Sequence, residues 1–129
     1  MSAWPCVSVM KQKRIVLLVE DDEDLRRMFR TALVLEGFYV YEAANGYDAL
    51  SVLEQDATDL VVLDLRLPRI DGLSVLEEIQ ATTRNLPVVI VTGSDLDLSK
   101  FDVDCILRKP ISPDILVKTV HQCLEKHGH

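Results

Sequence analysis

Short apolar runs alternate along the chain with longer segments in which apolar residues recur every three or four positions. Ile15-Val16-Leu17-Leu18-Val19 is an unbroken aliphatic run, the pattern of a strand buried on both faces, and it stops at Glu20-Asp21-Asp22-Glu23-Asp24. Leu25, Met28, Phe29, Ala32, Leu33 and Leu35 follow at helical spacing, with acidic residues in the first turn to oppose the helix dipole and Gly37 past the end as a C-cap. The same grammar then repeats. Phe38 to Ala43 reads as a second strand, Gly46 to Gln55 as a second helix with Ala49, Leu50 and Leu53 inward, and Leu60 to Leu63 as a third strand ending at Asp64. Gly72 to Ala81 is a third helix with Leu73, Leu76 and Ile79 on one face, and Pro87 opens a fourth strand, Val88 to Val91, that ends at Thr92. Cys105 to Leu107 is a fifth strand. Pro113 to about Lys126 is the last helix, with Ser112 as N-cap and Pro113 at the first helical position.

Strands alternating with helices require crossover connections, so the pattern predicts an α/β fold: a doubly wound five-stranded parallel sheet with helices on both faces. One interval breaks the rhythm. The sixteen residues 93–108 must supply both a crossover and a whole strand, so the helix expected between the fourth and fifth strands is short or degraded. Residues 1–12, interrupted by Pro5, show neither period and read as a mobile N-terminal extension to a domain at 13–127.

At 129 residues the chain is the size of one domain, and with 48% hydrophobic but only 5% aromatic residues its core must be aliphatic. Fourteen Lys+Arg against twenty-one Asp+Glu give a formal charge of −7, which argues against nucleic acid or an anionic membrane as a partner. No apolar run approaches the roughly 20 residues needed to span a bilayer, and no apolar stretch follows a basic start, so the expected compartment is the cytoplasm. Cys6, Cys105 and Cys123 are scattered without a CxxC spacing and read as small apolar residues rather than as a disulfide framework or thiolate metal site. His121, His127 and His129 do not pair on a helical face at i, i+4, so they read as solvated and not as zinc ligands.

In an open parallel sheet, ligands bind beyond the carboxyl ends of the strands. There the sequence places Glu20 and Asp21 after the first strand, Asp64 after the third, Thr92 after the fourth and Lys109-Pro110 after the fifth. Crowded carboxylates repel unless a cation lies among them, and an all-oxygen donor set favours Mg2+ or Mn2+. A hydrated ion of this kind leaves positions for phosphate oxygens, to which the Lys109 ammonium and the Thr92 hydroxyl add donors; Asp64 is then a candidate nucleophile forming an aspartyl phosphate. Each residue alone has a plainer explanation, since an acidic run suits a helix N-terminus and a Thr or Lys at a strand end is commonly solvated. The coincidence of all of them on one sheet edge favours the site. Asp22 and Asp24 keep the plainer role of cap and first-turn residues.

These motifs resemble the receiver domain of bacterial two-component response regulators over about residues 13–127. The resemblance rests on Ile-Val-Leu-Leu-Val-Glu20-Asp21-Asp22, on Val-Val-Leu-Asp64-Leu-Arg-Leu-Pro68-Arg-Ile-Asp71-Gly72, on Val-Ile-Val-Thr92-Gly and on Lys109-Pro110. It implies the flavodoxin-like strand order 2-1-3-4-5 and a phosphoacceptor role for Asp64, the donor being a histidine kinase or a histidine phosphotransfer protein. It further implies that Asp21 and Asp64 bind the divalent ion directly, with the Arg66 backbone carbonyl, and Glu20 through water. Thr92 and Lys109 would contact the phosphoryl oxygens, with the Lys109-Pro110 bond cis. Such a chain catalyses only its own phosphorylation and dephosphorylation and signals through protein contacts. Three departures fall on the family's usual output face: Ile106 replaces an aromatic three residues before the lysine, Gly93 stands where another small residue is usual, and the fourth crossover is short.

Competing readings fit less well. A flavodoxin would need a hydroxyl- and glycine-rich loop where Glu20 to Asp24 would repel phosphate, and a dinucleotide-binding domain would need GxGxxG. A phosphatase of the haloacid dehalogenase type would carry a second Asp two residues after the nucleophile, where this chain has Arg66. A pseudo-receiver that binds a partner without phosphorylation remains the alternative, favoured by the altered output face and opposed by the complete acidic site.

Overall fold

The computed structural model describes residues 13–67, 71–82, 85–93, 97–99, 101, 103 and 105–127. The N-terminal extension with Cys6, and also Pro68 and His129, lie outside the described residues. Five parallel strands form one sheet in the order β2-β1-β3-β4-β5, where β1 is Ile15–Val19, β2 Tyr39–Ala43, β3 Leu60–Asp64, β4 Val88–Thr92 and β5 Cys105–Arg108. The helices are α1 (Glu23–Leu35), α2 (Gly46–Gln55), α3 (Gly72–Thr82) and α4 (Pro113–His127). The continuous apolar runs are the central strands. β3 and β4 are buried throughout, and β1 is buried except at Ile15, because helices cover both faces.

The side-chain alternation of each strand divides the interior into two layers. Val16, Leu18, Val62 and Val89 pack with Phe29 and Leu33 of α1 and Leu116, Val120 and Cys123 of α4, whereas Leu17, Val19, Leu63 and Ile90 pack with Ala49 of α2 and Val75, Leu76 and Ile79 of α3. Cys105 and Cys123 are buried free thiols within the first layer, as their sequence context predicts. The stripe of α1 is narrower than its periodicity suggests. Met28 is 43% and Leu35 81% exposed, because α1 flanks the β2 edge of the sheet and only Phe29 and Leu33 are fully buried. Gly37, at φ +102°, turns the chain out of α1, and Phe38, placed in the second strand by the sequence pattern, is instead held before it by its N–H bond to the Leu33 carbonyl.

The expected helix between β4 and β5 is absent among the described residues of that interval. Leu98 is buried there, and Phe101 and Val103 pack beside it against the α2/α3 layer. On β5, Cys105 and Leu107 face the α4 layer, and Ile106 faces the opposite side, where it is 37% exposed. No helix long and apolar enough to cross a membrane occurs among the described residues.

Candidate functional site

Strand register brings the polar residues together. Val19 pairs with Leu63, so Glu20 emerges beside Asp64; Thr92 pairs with Arg108, so Lys109 follows at the same edge, its N–H donating to the Thr92 carbonyl at 2.8 Å. The Lys109-Pro110 peptide is cis, as the motif implies. The Lys109 ammonium lies 3.1 Å from Glu20 Oε1 and 3.1 Å from Asp64 Oδ2. Both carboxylates are 2% exposed, so this one ammonium bridges two buried anions.

Each carboxylate has a second tether. The Arg66 N–H donates to Asp64 Oδ1 at 2.9 Å, a tight local turn that leaves Oδ2 for Lys109, and the Asp22 N–H donates to Glu20 Oε2 at 3.2 Å. Asp22 also caps α1, its Oδ1 accepting from the Leu25 N–H at 3.0 Å, as its place in the acidic run predicts. Burial, and then the Asp64 charge, push the Glu20 carboxyl up to about 7 against the opposing pull of the Asp22 amide and Lys109. Burial works to lower the Lys109 ammonium, but the Asp64 and Glu20 charges outweigh it and hold it above its ordinary range.

Glu20, Asp21 and Asp64 each offer an oxygen within 4.8 Å of the others, the one metal-ligating group of three or more among the described residues. Two of these carboxylates are buried, the third is exposed, and the donors are all oxygen, which fits a hard, partly hydrated divalent cation. They line an open depression of about 740 Å3 together with Asp22, Leu65, Arg66, Leu67, Asp71 and Lys109. Thr92 ends β4 at this edge but has no exposed surface and does not line the depression.

Asp71-Gly72 is a turn signal that lets the chain swing into α3, but Gly72 is needed for a further reason. A side chain there would press on the Leu65 backbone and lie 2.7 Å from the Asp64 carbonyl oxygen, so α3 starts hard against the peptide that carries Asp64. The plain turn signal Asp71-Gly72 hides this close approach. Arg26 was likewise invisible in the sequence pattern: from α1 it reaches back to the Glu20 carbonyl at 2.8 Å. His121, expected to be solvated, lies 3.0 Å from Glu36 and against the Phe38 ring at a centroid distance of 5.1 Å, outside the site.

Comparison with known proteins agrees with this arrangement. The family model for the response regulator receiver domain matches residues 16–121. The transcriptional regulatory protein GlrR of Escherichia coli is 35% identical over 116 residues, a match that covers 86% of this chain but 26% of GlrR. The chain thus spans about a quarter of the length of that relative. Among solved structures, a CheY-like receiver domain protein from Methanospirillum hungatei superposes with a TM-score of 0.84 at 26% identity, covering 90% of this chain and 97% of the other. The response regulator TrrA of Thermotoga maritima, solved with Mg2+ and BeF, gives 0.79 at 30% identity over 86% of this chain and 99% of its own. A sheet in the order 2-1-3-4-5 whose carboxyl edge gathers these acids, together with a family match spanning most of its length, makes this chain a member of the response regulator receiver domain family.

Proposed function

We propose that Asp64 accepts a phosphoryl group from a phosphohistidine donor, a histidine kinase or a histidine phosphotransfer protein, in the cytoplasm. The observation that carries this reading is the placement of Asp64: a buried carboxylate at the end of β3, bonded to Lys109 and bordering an open acidic depression. In the transfer a carboxylate oxygen of Asp64 forms a bond to phosphorus while the donor's P–N bond breaks, and the donor imidazole leaves with that electron pair. The chain does nothing further to a substrate; it catalyses its own phosphorylation and the later hydrolysis.

Glu20, Asp21, Asp64 and the Arg66 carbonyl are the residues we assign to Mg2+ or Mn2+, and TrrA, whose solved complex contains Mg2+ and BeF, supports the assignment. Such an ion, when bound, neutralises and orients the phosphoryl oxygens. Lys109 is already at hydrogen-bond distance from the Asp64 carboxylate, so it can follow charge from that oxygen onto a phosphoryl oxygen without crossing the site. The Thr92 hydroxyl, buried at the end of β4, is the further donor we assign to a phosphoryl oxygen. With a charge of −7, these residues signal through protein contacts rather than by touching nucleic acid. The completeness of the acidic site favours this reading over a phosphorylation-independent module.

Incubation with Mg2+ and acetyl phosphate should add one phosphoryl mass, and Asp64→Asn should abolish the gain. A substituted protein that still gains the mass refutes the assignment.

A further inference from the structure

Arg26 lies next to the site, yet the proposed transfer does not use it. Its side chain is only 17% exposed; Nη1 donates to the Glu20 backbone carbonyl at 2.8 Å and Nε lies 3.2 Å from Glu42 Oε1. The second Glu42 oxygen takes Arg30 Nε at 3.0 Å, so β2 anchors the guanidinium from the far side. We propose that Arg26 is a positioning residue that locks the Glu20–Asp21 peptide and thereby sets how both carboxylates meet the divalent cation; the proposal rests on the metal-site reading given above.

Backbone pairing of this segment with β2 stops at Glu20. The Glu20 N–H makes the last bond from this chain segment to β2, to the Ala43 carbonyl at 3.0 Å. Past that point the Glu20 carbonyl is beyond β1 and before α1, and its bond comes from Arg26. Rotation of this one peptide would swing the Asp21 backbone, and with it the Asp21 carboxylate, relative to the buried Asp64. A charge-assisted bond resists that rotation more strongly than a neutral one. The planar fork of arginine suits the task, because separate nitrogens address the carbonyl and Glu42 together, whereas a lysine has a single nitrogen for both.

The sign of the effect separates positioning from simple charge. Arg26→Met removes a positive charge close to a cation site, which by Coulomb's law alone would tighten Mg2+ binding. Positioning requires the opposite. Titrating the unphosphorylated full chain with Mg2+ alone, followed through backbone amide shifts, should show binding about tenfold weaker in Arg26→Met, as for outer-shell partners of metal ligands. Arg26→Lys should recover part of the loss. Unchanged or tighter binding in Arg26→Met, with only its melting temperature in EDTA lowered, would overturn the proposal and leave Arg26 a structural salt bridge. Should Arg26→Met fail to fold, Glu42→Gln titrated at high salt, where loss of one charge is screened, carries the test: weaker binding supports the proposal and unchanged binding overturns it. A wild-type protein that binds no Mg2+ would instead overturn the metal-site reading itself.

Discussion

Replacing Gly72 by alanine tests the close approach that brings α3 against the phosphoacceptor. The new Cβ would lie 2.7 Å from the Asp64 carbonyl oxygen and 2.8 Å from the Leu65 carbonyl carbon. Carbon atoms in contact prefer about 3.5 to 4.0 Å, so one side must retreat by about 1 Å. Neither side yields easily. The Leu65 peptide follows a buried strand, and the start of α3 is held by the Gly72 N–H to the Leu65 carbonyl, by Ser74 N–H to Asp71 Oδ1, and by the buried Val75 and Leu76. Overpacking against backbone belongs at the upper end of the usual range, about 3 kcal/mol, and the better helix propensity of alanine returns about 1 kcal/mol at most. The expected net loss is about 2 kcal/mol, which for a chain of this length lowers the melting temperature by roughly 7 °C. Urea denaturation with Gly93→Ala as control measures it. At Gly93 a Cβ would meet nothing within 4 Å, so that variant should change stability by no more than about 0.5 kcal/mol. Because the clash falls on the Asp64 peptide, Gly72→Ala should also slow phosphorylation by acetyl phosphate. Equal stability and equal rates for the two variants would refute the reasoning.

Other consequences follow from the same bonds. Lys109→Met leaves the buried Glu20 and Asp64 carboxylates without their shared cation and should destabilise the metal-free protein by about 3 kcal/mol at pH 8, read by urea denaturation in EDTA. The loss should shrink at pH 5, where Glu20 holds a proton; an equal loss at both values would contradict the bridging role. Since the Glu20 carboxyl is raised from 4.5 to about 7, its contribution to metal-free stability is present below pH 4.5 and disappears as pH rises through about 7. A metal must displace that proton, so Mg2+ affinity measured by calorimetry should rise about tenfold from pH 6 to pH 8, and a flat profile would count against Glu20 as a ligand. Asp21→Ala should weaken Mg2+ binding more than Asp22→Ala, because the Asp22 carboxylate caps α1; Asp22→Ala should instead lose about 1 kcal/mol of stability. Equal losses of affinity would mean the acidic run is misread.

The parallel sheet was legible in the sequence because burial on both faces leaves its mark in composition. Runs such as Leu60 to Leu63 and Val88 to Val91 admit little else between turn residues, and the polar residues at their carboxyl ends, Asp64 and Thr92, stand out against them. Local signals were equally readable: Asp22 and Ser112 cap the helices they precede, and Gly37 ends α1. The short or degraded fourth crossover was expected from counting residues between Thr92 and Lys109, and no helix occurs among the described residues there. What sequence pattern could not carry is any bond between residues far apart in the chain. The 89-residue reach from Lys109 to Glu20 was expected only as a shared edge, and its two-anion geometry follows from strand register and the direction of the side chain. Arg26 carries no signal in the hydrophobic pattern, yet the tertiary fold turns it onto the Glu20 carbonyl with Glu42 behind it. Gly72 read as a turn residue, and only packing shows that its missing side chain lets α3 begin against the Asp64 peptide. Periodicity reports which side chains leave water, since burial acts on each residue separately; pairing, clash and orientation arise only when two distant segments meet, so they are decided by the packed structure.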